Sequence, residues 1–164
     1  RALRENRPVP KKLPNTTIEF RQDAYLDSGY IANQEQKMEI YRRLAAIEDE
    51  KTLTDLIDEV IDRFGTPSQP AEKLFRISEI RVKARHLGIG SILDEGDSLL
   101  VTWADESFMH GWDPMKLPKT WLPYLKFLPG SPAKLRIHKA LIKGTMTDWM
   151  ADFMDELKRE TGKQ

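Results

Sequence analysis

The hydrophobic spacing of the chain changes at Gly88, and this change constrains the fold more than any other sequence feature. Before Gly88, apolar residues recur every three or four positions in three successive segments, which is typical of amphipathic helices. After Gly88 they alternate with polar residues on both sides of Gly96-Asp97, which is typical of a β-hairpin. Helices that come first, followed by strands that pair mainly antiparallel, predict an α+β fold, with a small sheet packed against about four helices.

The second of these helical segments has the clearest pattern. The sequence predicts a helix over 53–64, with Thr52 as its N-cap and Gly65 in the position of a left-handed C-cap. Its apolar stripe, which we expect to face the core, consists of Leu53, Leu56, Ile57, Val60, Ile61 and Phe64.

The remaining elements are predicted from shorter patterns. Further helices are predicted over 33–47 (with Met38 in the apolar stripe), 70–87 and 146–160, and strands over 16–20, 91–95, 99–103 and 134–138. Residues 104–132 carry five prolines, so we expect at most one or two helical turns there, best around 119–127. Trp103, Trp112 and Trp121 could stack on bases, but their apolar neighbours favour a role as core anchors.

Residues 1–14 form a separate unit by composition. They contain five basic side chains and a single acidic one, Glu5, and three prolines prevent a regular helix or strand. We therefore divide the chain into a basic, Pro-rich linker (1–14) and one folded domain (15–164).

No catalytic residue is predicted. The chain has no Cys, and its closest glycine pair, Gly88 and Gly90, follows a helix, whereas a phosphate-binding loop would precede one. The three histidines have no partner at metal-ligand spacing, and no serine lies in a nucleophile elbow. We expect no enzymatic activity, metal or cofactor in this chain, with a metal-dependent hydrolase as a weak alternative that calorimetry with zinc or manganese would test.

Charge is balanced overall but not locally. Lys and Arg total 26, as do Asp and Glu, yet 48–62 holds seven acidic residues against Lys51 alone. Asp55, Asp58, Glu59 and Asp62 must face outward because the apolar stripe takes the core-facing positions. This surface is either an ordinary solvated face or one kept acidic for a basic partner. The basic arm and the basic third helix suggest an alternative function, that of an accessory DNA-binding module.

Four runs of residues carry a resemblance to a known family. They are Gly29-Tyr30-Ile31, Tyr41-Arg42-Arg43, Glu59-Val60-Ile61-Asp62-Arg63-Phe64-Gly65 and Ala84-Arg85-His86-Leu87-Gly88-Ile89. In this order they resemble the C-terminal domain of bacterial transcription-repair coupling factor (Mfd). The likeness extends from the strand near Thr16 to the last helix, with one departure at Ser68, where the family often has Pro.

The resemblance implies a regulatory domain. In the family, the parent protein is an ATP-dependent translocase on double-stranded DNA, which displaces stalled RNA polymerase and recruits UvrA in nucleotide excision repair. ATP and Mg belong to its motor domains. The C-terminal domain docks on the N-terminal UvrB-like module, masks the UvrA-binding surface, and does so through acidic residues that match Glu59 and Asp62. Asp55 and Asp58 are candidates on charge and spacing only.

No apolar run approaches the roughly 20 residues that span a bilayer, and no signal peptide is visible. We therefore expect a cytoplasmic protein with no membrane partner.

Overall fold

The chain builds one mixed β-sheet and a set of α-helices, with the first strand before the first helix and the last helix after the last strand. The computed structural model describes residues 12–109 and 113–162. Within these ranges the regular elements follow in this order: β1 (Thr17–Glu19), α1 (Gln34–Ala46), α2 (Glu50–Phe64), α3 (Gln69–His86), β2 (Ile89–Asp94), β3 (Ser98–Trp103), β4 (Leu125–Leu128), β5 (Lys134–His138) and α4 (Met146–Gly162).

The five strands lie in the order β1-β2-β3-β5-β4. The predicted hairpin is confirmed: β2 and β3 pair antiparallel, with Leu93 opposite Leu100. The pairs β3–β5 and β4–β5 are also antiparallel, and only β1 pairs parallel, with Ile18 opposite Ile92. An α+β fold with a mainly antiparallel sheet is therefore confirmed.

Two groups of buried side chains hold the elements together. One lies between the sheet and α4, and the other joins α1, α2 and the segment before α1. Helix α3 belongs to both, because Phe75 and Val82 pack in the second group while Ile80 and Ala84 pack in the first. Helix α3 thus positions the α1–α2 pair relative to the sheet.

A buried lysine reinforces this junction. Lys83 on α3 is 9% exposed, and its ammonium lies 2.8 Å from Glu79, 2.7 Å from Asp155 of α4 and 3.9 Å from Glu50 of α2. Since an ion this deeply placed needs partners, Lys83 links three helices through charge as well as packing.

Helix α2 begins earlier than predicted, and the assignment of Thr52 as its N-cap is wrong. Asp49 is the N-cap: its carboxylate accepts the Thr52 backbone N–H at 2.8 Å and the Thr52 hydroxyl at 2.9 Å. A local sequence pattern does not separate two capping candidates that lie three residues apart and bond to each other.

Strand β4 was not predicted, because it is four residues long and lies between Pro123 and Pro129. Its backbone is held by pairing with β5, a contact that its own sequence does not encode. The described part of 104–132 also contains three short 3-10 helices, so the expectation of at most one or two helical turns there is wrong, although one of them, Leu122–Tyr124, lies within the predicted 119–127. Leu117 is buried and Trp121 packs against the sheet cluster, which confirms the expected apolar anchors.

Two stripe positions were predicted wrongly. Met38 and Ile61 are 44% and 40% exposed, because each lies on the edge of its helix away from the packing partner. Predictions for 1–11, His110 and Trp112 lie outside the described residues.

Candidate partner-binding surface

The outer face of α2 carries the acidic residues singled out from the sequence. We call the set Asp55, Asp58, Ile61 and Asp62 the α2 face. All four are exposed, whereas Leu53, Leu56 and Val60 on the opposite side are buried. The helical period separates the two sets, since positions three, four and seven apart share one side of a helix.

Glu59 lies beside this face, toward α1, and is half-exposed. Its carboxylate accepts two hydrogen bonds from the Arg43 guanidinium, at 2.6 and 2.8 Å, and one from Arg63 at 3.2 Å. Arg63 in turn donates to Glu39 at 3.2 Å. The paired geometry with Arg43 is the strong, two-pronged form of an arginine–carboxylate contact. Glu59 is therefore already neutralised within the molecule.

These contacts change the acidity of Glu59. The hydrogen bonds from Arg43 lower its pKa most, partial burial opposes them, and Arg63 adds to the lowering, so that the pKa falls from 4.5 to about 2. Because the folded-state pKa is the lower one, the pair stabilises the fold fully above pH 4.5 and progressively less as the pH falls toward 2.

Substituting Arg43 by glutamine should raise the pKa of Glu59 well above 2, toward 4.5, because the largest cause of the shift is removed. Carboxyl-detected NMR between pH 1.5 and about 6 would measure it. Lys51→Gln, which removes the 3.1 Å partner of Asp55, is the matched control and should leave Glu59 unchanged. An unshifted Glu59 in Arg43→Gln would contradict the assignment.

The aspartates of the α2 face differ in whether their carboxylates are paired within the molecule. Asp55 forms an exposed i,i+4 pair with Lys51 at 3.1 Å, a type of contact worth about 0.3–0.5 kcal/mol. Within the described ranges, Asp58 and Asp62 make no hydrogen bond or ion pair through their side chains. Ile61 lies between them in sequence and is exposed too. Two unpaired charges and one apolar side chain thus lie together on the α2 face.

Two residues at or beside the α2 face, Arg43 and Ile61, were not predicted to lie there. Arg43 contacts Glu59 across 16 positions, so its role depends on how α1 packs on α2. Ile61 was placed in the core because six apolar positions fill the stripe, although one helix face needs fewer. The pair between Glu59 and Arg63, by contrast, has the i,i+4 spacing of neighbours on one helix and depends only on α2.

The basic side chains of α3 are largely engaged inside the molecule. Arg81 donates to the Leu44 and Ile47 carbonyls, both at 3.0 Å, and Lys83 is surrounded by carboxylates. Arg76 pairs with Asp148 at 2.9 Å, and Arg85 lies 3.7 Å from Glu48. These contacts remove most of the support that the third helix lent to a DNA-binding surface.

Two other features, a metal site and a membrane-spanning helix, are not found among the described residues. Among the described residues, no group of three or more His, Cys, Asp or Glu side chains is arranged to hold a metal ion. None of the described helices combines the length and apolar character needed to cross a membrane.

Comparison with protein families gives a match over more than half of the chain. A family model described as the TRCF domain matches residues 20–111. These residues include all of α1, α2 and α3 and the β2–β3 hairpin.

Curated proteins named transcription-repair-coupling factor are similar over more than half of the chain. Identity is 37% over 102 residues for the protein of Staphylococcus haemolyticus, 39% over 103 residues for that of Staphylococcus epidermidis and 38% over 98 residues for that of Staphylococcus aureus. The matched parts cover 62%, 61% and 58% of this chain. They amount to only 8% or 9% of those relatives, so the chain spans less than a tenth of their length.

A solved structure extends the similarity to the remaining elements. It is described as the crystal structure of the C-terminal domain of transcription-repair coupling factor. The TM-score is 0.78 at 18% identity, and the match covers 94% of this chain and 98% of the other. The two therefore share the whole fold, including β4, β5 and α4.

Proposed function

The chain belongs to the transcription-repair coupling factor family, and from that premise we propose that it is a regulatory docking domain whose α2 face binds a basic surface on the parent's UvrB-like module. The observation that carries the proposal is the pair of unpaired, exposed carboxylates on Asp58 and Asp62, with the exposed Ile61 between them.

Charge and apolar area together favour a protein partner for this face. Carboxylates without an internal partner attract a basic surface and speed its encounter. An isolated apolar side chain within a charged rim matches the usual anatomy of an interface, in which apolar area lies at the centre and charge at the edge. The α2 face thus suits a partner with Arg or Lys around an apolar spot.

Glu59 has a different role from Asp62 in this account. A partner cation can bind Asp62 directly, but it can bind Glu59 only by sharing or replacing Arg43 and Arg63. We therefore assign Asp62 and Asp58 to direct contact. Glu59 orients Arg43 and Arg63 at the edge of the interface, and Asp55 adds a weaker contact in competition with Lys51.

The strength of such an interface suits a reversible contact. Each exposed ion pair is worth about 0.2–1 kcal/mol, so a few of them are outweighed by a competing interaction of a few kcal/mol. Docking of this kind keeps the UvrA-binding surface masked until engagement of the parent's motor changes the balance. We assign the remaining activities to the rest of the parent protein, in the cytoplasm. They are ATP-dependent translocation on duplex DNA, with its ATP and Mg, displacement of RNA polymerase and recruitment of UvrA.

The experiment measures binding of this chain to the isolated UvrB-like module by calorimetry at about 0.1 M salt, where exposed charges still interact over roughly 10 Å. Reversing two charges with Asp58→Lys and Asp62→Lys should weaken binding on the order of tenfold, or about 1.4 kcal/mol. Ile61→Ser should weaken it as well, without any change in charge.

The control variant carries Glu19→Lys and Asp152→Lys. It changes net charge by the same amount at exposed positions on β1 and α4, outside the α2 face. We expect it to bind as the unaltered chain does. Equal binding by both double variants would show that the α2 face does not bind the UvrB-like module.

A further inference from the structure

The N-terminal ends of α3 and α4 open onto a common cavity of about 280 Å³, which we call the interhelix cavity. Helix α3 contributes Lys73 and Arg76, and α4 contributes Thr147. At about 30 Å³ for each water molecule, the cavity has room for a small oxyanion together with some of its hydration.

Thr147 is the most informative residue of the cavity. It is only 4% exposed, yet its hydroxyl makes no hydrogen bond with any residue that the structure describes. Leaving a buried hydroxyl without a partner is unfavourable, and nearly all such groups in proteins are satisfied. Because Thr147 lines the cavity, a polar group inside it would provide the missing partner.

The backbone of α4 provides a further donor at the same place. Thr145 caps the helix: its carbonyl accepts the Trp149 N–H at 3.0 Å, and its hydroxyl accepts the Asp148 N–H at 3.3 Å. The N–H group of Thr147, a residue that lines the cavity, has no acceptor within the helix. The positive end of the helix dipole adds to this donor, which favours an anion.

The charges around the cavity are of both signs. Lys73 forms no ion pair with another described residue, whereas Arg76 donates to Asp148 at 2.9 Å and to Glu79 at 3.1 Å. Glu72 and Asp148 also line the cavity, but Asp148 is neutralised by Arg76 and Glu72 is exposed. Lys73 is therefore the available cation, and the opposing carboxylates keep the affinity for an anion moderate.

We propose that the interhelix cavity binds a phosphate group. Its oxygens accept from the hydroxyl and the free backbone N–H of Thr147 and from Lys73. A phosphate matches this set because it has several acceptor oxygens and a charge opposite to that of Lys73. The same group is present in inorganic phosphate and in the backbone of DNA.

The test follows the backbone amide resonances of the full 164-residue chain by NMR. Inorganic phosphate is added at pH 7.5 and constant ionic strength, with chloride as the replaced ion. We expect saturable shifts centred on Met146 and Thr147. The affinity should fall at least tenfold in Thr147→Val and in Lys73→Gln, whereas Lys126→Gln, which changes an exposed lysine of β4, is the matched control and should bind normally.

A second readout separates binding from folding. Thr147→Val keeps the volume of the side chain and removes only the unpartnered hydroxyl, so its melting temperature without phosphate should equal or exceed that of the unaltered chain. Phosphate should raise the melting temperature of the unaltered chain and not that of Thr147→Val.

A parallel titration with a short DNA duplex identifies the source of the phosphate. The same shifts with DNA, reversed by inorganic phosphate, would support the proposal with the DNA backbone as ligand. Shifts with inorganic phosphate alone would support it with the free ion. The absence of saturable shifts with either, or equal affinity in Thr147→Val, would overturn it.

Discussion

Replacing Phe153 with alanine is expected to lower the free energy of unfolding by about 4 kcal/mol, because truncation of a large core side chain costs its transfer free energy plus that of the cavity left behind. Phe153 on α4 is fully buried. Its ring centroid lies 5.2 Å from that of Trp149 and 5.4 Å from that of Trp121. The substitution therefore removes aromatic contacts that tie α4 to the segment before β4.

Urea denaturation followed by circular dichroism would measure this loss. Phe153→Leu retains much of the side-chain volume, and we expect it to cost less than half as much. Met115→Ala changes a side chain that is 72% exposed and should stay within about 0.5 kcal/mol of the unaltered chain. A loss below about 1.5 kcal/mol in Phe153→Ala would mean that the site collapses around the cavity or that α4 packs differently.

Replacing Gly88 with alanine should cost about 3 kcal/mol, from two separate causes. The φ angle of Gly88 is +77°, where a residue with a Cβ atom is less stable by roughly 1–2 kcal/mol. The new Cβ would also lie 2.0 to 2.5 Å from the Phe108 ring, so the ring must move, and overpacking of this kind costs roughly 1–3 kcal/mol.

Gly65→Ala shows a backbone cost without any clash. Nothing lies within 4 Å of the added Cβ, but the φ of +86° and ψ of −167° are nearly restricted to glycine, so we expect a loss of about 1–3 kcal/mol. Combining Gly88→Ala with Phe108→Ala should be less destabilising than the sum of the single changes, since the smaller side chain relieves the clash. Additive losses in the double variant would show that the contact between Gly88 and Phe108 has no energetic weight.

The helices and strands that were predicted correctly are encoded by neighbouring residues. Helices α1, α3 and α4, the β2–β3 hairpin and β5 were predicted because each repeats its own hydrophobic period over enough residues to be recognised. The family was likewise recognised from short runs of residues such as Glu59 to Gly65, and the TRCF domain match confirms it. What was missed, β4 above all, depends on a partner strand elsewhere in the chain.

The candidate surface also combines features that follow from the sequence with features that depend on tertiary packing. The outward placement of Asp55, Asp58 and Asp62 follows from the period of α2 and is seen in the structure. Their role in docking stays a prediction, and so does the absence of catalysis. The engagement of Glu59 by Arg43 could not be predicted, because the two residues meet only when α1 packs against α2.

By itself, the sequence determined which face of each element is apolar, where most elements lie and to which family the chain belongs. The tertiary structure alone decided which charges remain available: Glu59 and, on α3, Arg76, Arg81 and Lys83 have internal partners, while Asp58, Asp62 and Lys73 have none among the described residues. The physical reason is that hydrophobic periodicity is a property of neighbouring residues, whereas an ion pair requires two side chains within about 4 Å in space, and folding sets that distance.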